Sequence, residues 1–184
     1  MKTTRPKLAK YLPVDYNADI KATLNDALVL KIGSPDAIGN NEYKAIDPMN
    51  LFISPYISQG RTMLPLRFVA EHFGAEVEWN GANSTATIRV GGKTVKFTKD
   101  SKKYEVNGEI KTLDVPPEIT EDRFMLPIRE FCETVMGKQV FWDDELIVIS
   151  NKENILDKEK DEGNIKTIKE QFYYLTEPII LIIL

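Results

Sequence analysis

Two stretches of this chain carry nearly the same residues in the same order. "RTMLPLRFVAEHFGAEVEW" runs from Arg61 to Trp79, and "RFMLPIREFCETVMGKQVFW" runs from Arg123 to Trp142. Arg61, Met63, Leu64, Pro65 and Arg67 match Arg123, Met125, Leu126, Pro127 and Arg129. One inserted residue in the second stretch then brings Gly74 onto Gly137 and Trp79 onto Trp142. The likeness extends upstream, where "FISPYIS" resembles "VPPEIT" and Gly39–Glu42 resembles Val106–Glu109, and downstream, where "TATI" resembles "LIVI". An internal repeat constrains a fold more than any other sequence signal, because each unit must bury its apolar face against a neighbour. The copies span about residues 28–90 and 93–150.

Each copy spells out the same local structure. Short apolar or alternating runs, Leu28–Ile32 and Lys93–Phe97, read as strands. Asn107–Gly108 is a hairpin signal, since both central positions of a type I′ turn need positive φ, and Asn40–Asn41 is its weaker counterpart. A proline-containing loop is expected to follow each hairpin, and Pro65 and Pro127 then to open a helix at its first position, where a missing N–H costs nothing. Leu66, Val69 and Phe73 then fall on one helical face, as do Ile128, Phe131 and Val135. Gly74 and Gly137 stand where a left-handed residue ends a helix. A strand ending in Trp79 or Trp142, a turn and a further strand complete the unit. Helices this short gain stability only by packing on a sheet. The expected fold class is α+β: two pseudo-symmetric repeats of antiparallel strands packed on short helices.

The stretch "GRTMLPLRFVAEHFGAEVEWNGANSTATI", Gly60–Ile88, resembles the signature of the copper amine oxidase N-terminal-like domain family. The residues that carry the resemblance are Gly60–Arg67, Phe73–Ala75 and Val77–Asn80, and it covers about residues 28–150. The second copy departs from the pattern: Asp122 replaces the glycine before Arg123, and "ETVMGK" holds the extra residue. Gly60, Arg61, Pro65 and Gly74, with Arg123, Pro127 and Gly137, are the structural motif. The resemblance implies a non-catalytic module, often in tandem, of exported or cell-surface bacterial proteins, joined to wall-associated or carbohydrate-active domains. A copper amine oxidase needs three histidines for its metal and a tyrosine precursor of its quinone. This chain has one histidine, His72, so oxidase activity, a metal and a cofactor are not expected.

The remaining composition narrows the partners. A net charge of −4 and a sequence pI near 5.2 do not favour a nucleic acid, which would require a basic excess or patch. The lysines of "KTVKFTKDSKK" read as a solvated strand face. The single cysteine, Cys132, allows no intramolecular disulfide. No signal peptide is visible, and the terminal "EPIILIIL" is too short to span a bilayer. The domain reading is an N-terminal arm over residues 1–24, the tandem repeat over 25–150, and a charged tail or linker over 151–184. Ile165, Ile168 and Phe172 fit a docking helix in that tail, and Tyr11, Leu12, Val14 and Tyr16 are candidate docking contacts of the arm.

The candidate ligand-binding residues are Trp79, Trp142, Arg67 and Arg129. Exposed indole rings stack on sugar faces; buried, they are packing residues. Arg67 with Glu71, and Arg129 with Glu133, are spaced as intrahelical ion pairs, the alternative being a guanidinium that reaches an anionic ligand. Tyr43, Tyr56 and Tyr104 are candidates to extend an aromatic surface. "VGGKT" lacks the first glycine of a phosphate loop and reads as a hairpin turn, and Asp143–Asp144 read as turn residues. The expected function is a non-catalytic attachment or scaffolding module at the cell surface or outside the cell, with wall polymer or polysaccharide as partner. The alternatives are a spacer or protein–protein module, or an accessory fragment of a polysaccharide-processing enzyme.

Overall fold

The computed structural model describes residue 14 and residues 16–176. The strands in chain order are β1 (Leu28–Lys31), β2 (Asp36–Gly39), β3 (Glu42–Ala45), β4 (Tyr56–Ser58), β5 (Arg61–Pro65), β6 (Glu76–Asn80) and β7 (Thr85–Val90). They continue as β8 (Lys93–Thr98), β9 (Lys103–Val106), β10 (Glu109–Thr112), β11 (Glu118–Thr120), β12 (Arg123–Pro127), β13 (Gln139–Asp143) and β14 (Leu146–Ser150). The α-helices are α1 (Ala18–Thr23), α2 (Leu66–His72) and α3 (Glu162–Thr176), and Glu130–Val135 forms a π-helical turn. The architecture is α+β, mostly antiparallel sheet with a few short helices. Among the described residues, no helix is long and apolar enough to cross a membrane.

The strands form three sheets, ordered β13-β14-β1-β2-β3, β10-β9-β8-β7-β6 and β11-β12-β5-β4. In the first, Leu28–Lys31 pairs with Leu146–Ile149 from the far end of the repeat region. In the third, Leu64 pairs with Leu126, so the two "MLP" segments lie side by side as the central strands of that sheet. The hairpins take the turn their residues require. Asn107 and Gly108 have φ of 50° and 90°, and Asn40 and Asn41 have 54° and 63°. Gly91 and Gly92, at 54° and 74°, join β7 to β8, which accounts for "VGGKT". Asp122 keeps φ at 60° where the first copy has Gly60 at 74°, so the turn survives the replacement of glycine.

The main core lies between the sheets and the short helices, with Leu64, Val69, Phe97, Leu126, Phe131 and Ile149 among its members. A second core covers the outer face of the first sheet. Its cause is visible in the strands: "LIVIS" is buried at every position, as a strand covered on both faces must be, whereas "TATIRV" alternates. Ile20 and Leu24 from the N-terminal helical segment, and Ile165, Ile168 and Phe172 from α3, lie against Val29 and Val148 there. Ile168 is 0% and Phe172 1% exposed, and each contributes about 1.5–3 kcal/mol by leaving water. Val14 and Tyr16 are buried in the same core. Tyr11, Leu12 and the "EPIILIIL" segment lie outside the described residues.

Candidate functional site: two tryptophan-lined clefts

The repeated stretch builds a strand, a short helix and a second strand around one side chain. Pro65 is not the first helical residue, as expected, but the last residue of β5 and the N-cap of α2, with φ −67° and ψ 109°. Its backbone position still pairs with Met125 in the ladder, which keeps ψ extended and moves the helix start to Leu66. The helix then ends on a Schellman motif. The Gly74 N–H donates to Glu71 O at 3.0 Å, the Ala75 N–H to Ala70 O at 3.0 Å, and Gly74 has φ +77°.

The second copy reaches the same end with one more residue. The insertion is absorbed as the π-helical turn, in which the Met136 N–H donates to Phe131 O at 3.0 Å. The closing bond runs from the Lys138 N–H to Cys132 O at 2.8 Å, and Gly137 has φ +65°. The extra residue leaves Trp142 at the matching place on its strand.

Each tryptophan is 43% exposed and lines an open cleft. The first cleft, of about 630 Å³, has Pro65, Leu66, Arg67 and Trp79 on one side and Ile119, Arg123 and Phe124 on the other. The second, of about 360 Å³, has Pro127, Ile128, Arg129 and Trp142 facing Ile57, Gly60 and Arg61. In both, one wall comes from each copy of the repeated stretch. The Trp79 ring lies 5.3 Å from the Phe124 ring, and Lys158 Nζ lies 5.4 Å from the Trp142 ring centroid.

An Arg–Asp pair borders each cleft. Arg123 Nε donates to Asp47 Oδ2 at 2.5 Å, and Arg61 Nη2 to Asp114 Oδ2 at 2.6 Å. The Arg61 guanidinium holds the Asp114 carboxyl below the usual carboxylate range, through its hydrogen bond first and its charge second. The helix arginines differ. Arg67 Nη1 donates to Glu71 Oε1 and to the Val77 carbonyl, both at 3.0 Å. Arg129 is exposed and makes neither the expected ion pair with Glu133 nor any other polar contact among the described residues. The π turn begins at Glu130, between Arg129 and Glu133, and changes the stagger that the α-helical spacing assumed.

The other candidates are placed away from the clefts. Tyr104 is buried and stacked on Phe97, and its hydroxyl donates to Glu130. Tyr56 donates to Glu118, and Tyr43 to Gln171. None of the three tyrosines lines either cleft, so the expected aromatic extension is corrected: each hydroxyl makes a hydrogen bond to a residue distant in the chain. Asp143 binds Lys158 and Lys169 at 3.2 and 2.7 Å. Cys132 is fully buried, and burial pushes its thiol pKa up. His72 is half-buried, its imidazole near Gly39, and its pKa is lowered to about 4 by burial and by the charges of Lys44 and Lys138.

Residues 44–151 match the family described as the copper amine oxidase N-terminal domain. The chain belongs to this family. The family is a non-catalytic region of copper amine oxidases. No curated protein matches the chain. The copper in the family's name has no fitting donors here: His72 is the one histidine, Cys132 is sealed in the core, and no group of three His, Cys, Asp or Glu side chains gathers among the described residues.

Sequence reasoning missed Asp47 and Asp114. The signal is present as "ID" and "LD" ahead of each proline-containing stretch. The segment from Asp47 to Pro55 is longer than that from Asp114 to Pro117, and this hides the correspondence.

Proposed function

We propose that this protein is a non-catalytic attachment module of an exported or cell-surface bacterial protein, and that it binds wall polymer or polysaccharide in its two clefts. The carrying observation is that both repeat tryptophans are held 43% exposed on cleft walls, although large rings are normally the most valuable side chains to bury. An indole in that position offers a sugar ring a flat apolar face, and the flanking arginines offer hydrogen bonds to its hydroxyl groups. The two halves are pseudo-symmetric in this reading. Support comes from the same series of strands and helix in each, and from cleft walls built of matching residues. Two similar clefts on one chain suit a repeating polymer, since a second contact on the same polymer is intramolecular.

The test is sedimentation with insoluble bacterial wall and with several insoluble polysaccharides. The wild-type chain is compared with Trp79→Ala, Trp142→Ala and the double variant, each checked for folding. Saturable sedimentation that falls in each single variant and vanishes in the double supports the reading. Background sedimentation with every polymer overturns it.

A protein-partner module is the second reading, and one observation favours it. The loop between β3 and β4 leaves Met49 and Phe52 90% and 77% exposed, which is apolar surface beside the Trp79 cleft that a protein could cover.

A further inference from the structure

The two clefts share a plan but not an electrostatic state. In the Trp79 cleft, both arginines are already used: Arg67 bonds Glu71 and the Val77 carbonyl, Arg123 bonds Asp47, and Asp122 adds a further carboxylate to the lining. An incoming anion there would have to displace a carboxylate. In the Trp142 cleft, both carboxylates are engaged: Asp114 by Arg61, and Glu130 by the buried Tyr104 hydroxyl. Arg129 has no polar partner among the described residues, and it lines the same cavity as Trp142. Lys158, over the Trp142 ring, is itself paired with Asp143 at 3.2 Å, so Arg129 is the cation that the cleft leaves open.

We infer that the Trp142 cleft recognises an acidic polysaccharide, with the indole against a sugar ring and Arg129 on that sugar's carboxylate, while the Trp79 cleft takes neutral sugar. This rests on the polysaccharide-binding reading above and gives it a ligand class. The physical ground is the guanidinium fork, which matches a carboxylate with two parallel N–H donors. The cause is the single inserted residue. It winds the second helix into a π turn, and this separates Arg129 from the carboxylate that occupies its counterpart.

The test measures binding of the full chain to soluble polygalacturonate, to a neutral β-glucan and to poly(glycerol phosphate). Wild type is compared with Arg129→Gln and Arg67→Gln. Both arginines are exposed, and thermal unfolding confirms that the variants are folded. Arg129→Gln is expected to weaken polygalacturonate binding about tenfold and to leave glucan binding unchanged, as loss of a charge-assisted fork requires. Arg67→Gln is expected to leave polygalacturonate binding unchanged. An equal loss from both arginine variants, or no loss from Arg129→Gln, overturns the inference while leaving polysaccharide binding intact. Arg129-dependent binding of the phosphate polymer alone overturns the carboxylate assignment. Failure of all three polymers to bind wild type overturns this inference and the reading beneath it.

Discussion

Arg61 and Asp114, 53 residues apart in the chain, meet with the guanidinium Nη2 at 2.6 Å and Nε at 3.1 Å from one carboxylate oxygen. Arg123 and Asp47, 76 residues apart, meet at 2.5 Å. Each arginine opens one copy of the repeated stretch, and each aspartate precedes the other copy. The two pairs therefore tie the halves together at the borders of the clefts.

These pairs should not be equal in stability. The Asp47 side chain is 12% exposed and that of Asp114 is 71% exposed. Asp47→Asn is expected to cost about 1–2 kcal/mol, the worth of a hydrogen bond between charged groups in partial burial. Asp114→Asn is expected to leave the unfolding midpoint unchanged, because exposed pairs are screened. Urea unfolding of both variants checks this, and equal midpoints would refute the ranking.

Gly39 and His72 should behave as a coupled pair. A Cβ on Gly39 would stand 2.8 Å from His72 Cε1 and 3.1 Å from Nδ1. Gly39→Ala is expected to cost about 1–3 kcal/mol by overpacking, and most of that cost should disappear in a His72→Ala background. A double-mutant cycle measures the coupling. Strict additivity of the two changes would mean that the imidazole is not what limits the space at Gly39.

The same histidine sets a pH dependence. Burial, then Lys44 and Lys138, lower its pKa to about 4 in the folded chain, against 6.5 for the unperturbed group. The unfolded chain therefore binds the proton first as pH falls. The stability linked to a neutral His72 is fully present above 6.5 and is lost as pH falls from 6.5 toward about 4. His72→Gln should flatten the stability profile across that window relative to wild type. NMR titration of the imidazole gives the direct check, and a midpoint near the unperturbed value would contradict it.

The helix stops give a backbone prediction. Gly74 and Gly137 have φ of +77° and +65°, and an added Cβ would meet nothing within 4 Å at either. Replacement by alanine is therefore a purely conformational penalty, expected at about 1 kcal/mol for each site. Chemical denaturation of Gly74→Ala and Gly137→Ala measures it, and a neutral result at both would show that the left-handed caps are not needed.

Much of this architecture was legible where local chemistry dictates it. Prolines, positive-φ turn residues and the 3.6-residue apolar spacing place the hairpins at Asn40–Asn41 and Asn107–Gly108, the short helices after Pro65 and Pro127, and the strands that end near Trp79 and Trp142. The stretch expected as a loop before each helix is instead β4 and β5 in one copy and β11 and β12 in the other, and α1 has no counterpart in the expectation. What was not legible depends on distant neighbours. No local signal pairs Leu28 with Ile149, so the sheet partnership of the chain's two ends is hidden. The helix expected to start at Pro65 starts one residue later, at Leu66, because Pro65 has a ladder partner, Met125, in the other copy. The Arg129–Glu133 spacing suggested an ion pair because spacing alone does not show that an inserted residue becomes a π turn. The tryptophans were recognised as a pair, but only the opposing wall in each cleft shows that they are half-exposed rather than core.

Intrinsic fluorescence tests the central claim most directly, because Trp79 and Trp142 are the two tryptophans of the chain and each lines a cleft. Titration with a soluble polymer that corresponds to one captured in the sedimentation test should shift the emission to shorter wavelength and saturate. Trp79→Ala and Trp142→Ala should each retain only the part of the shift that belongs to the remaining indole. Saturable binding of the polymer with no change in emission would place the contact elsewhere on the protein and contradict the account.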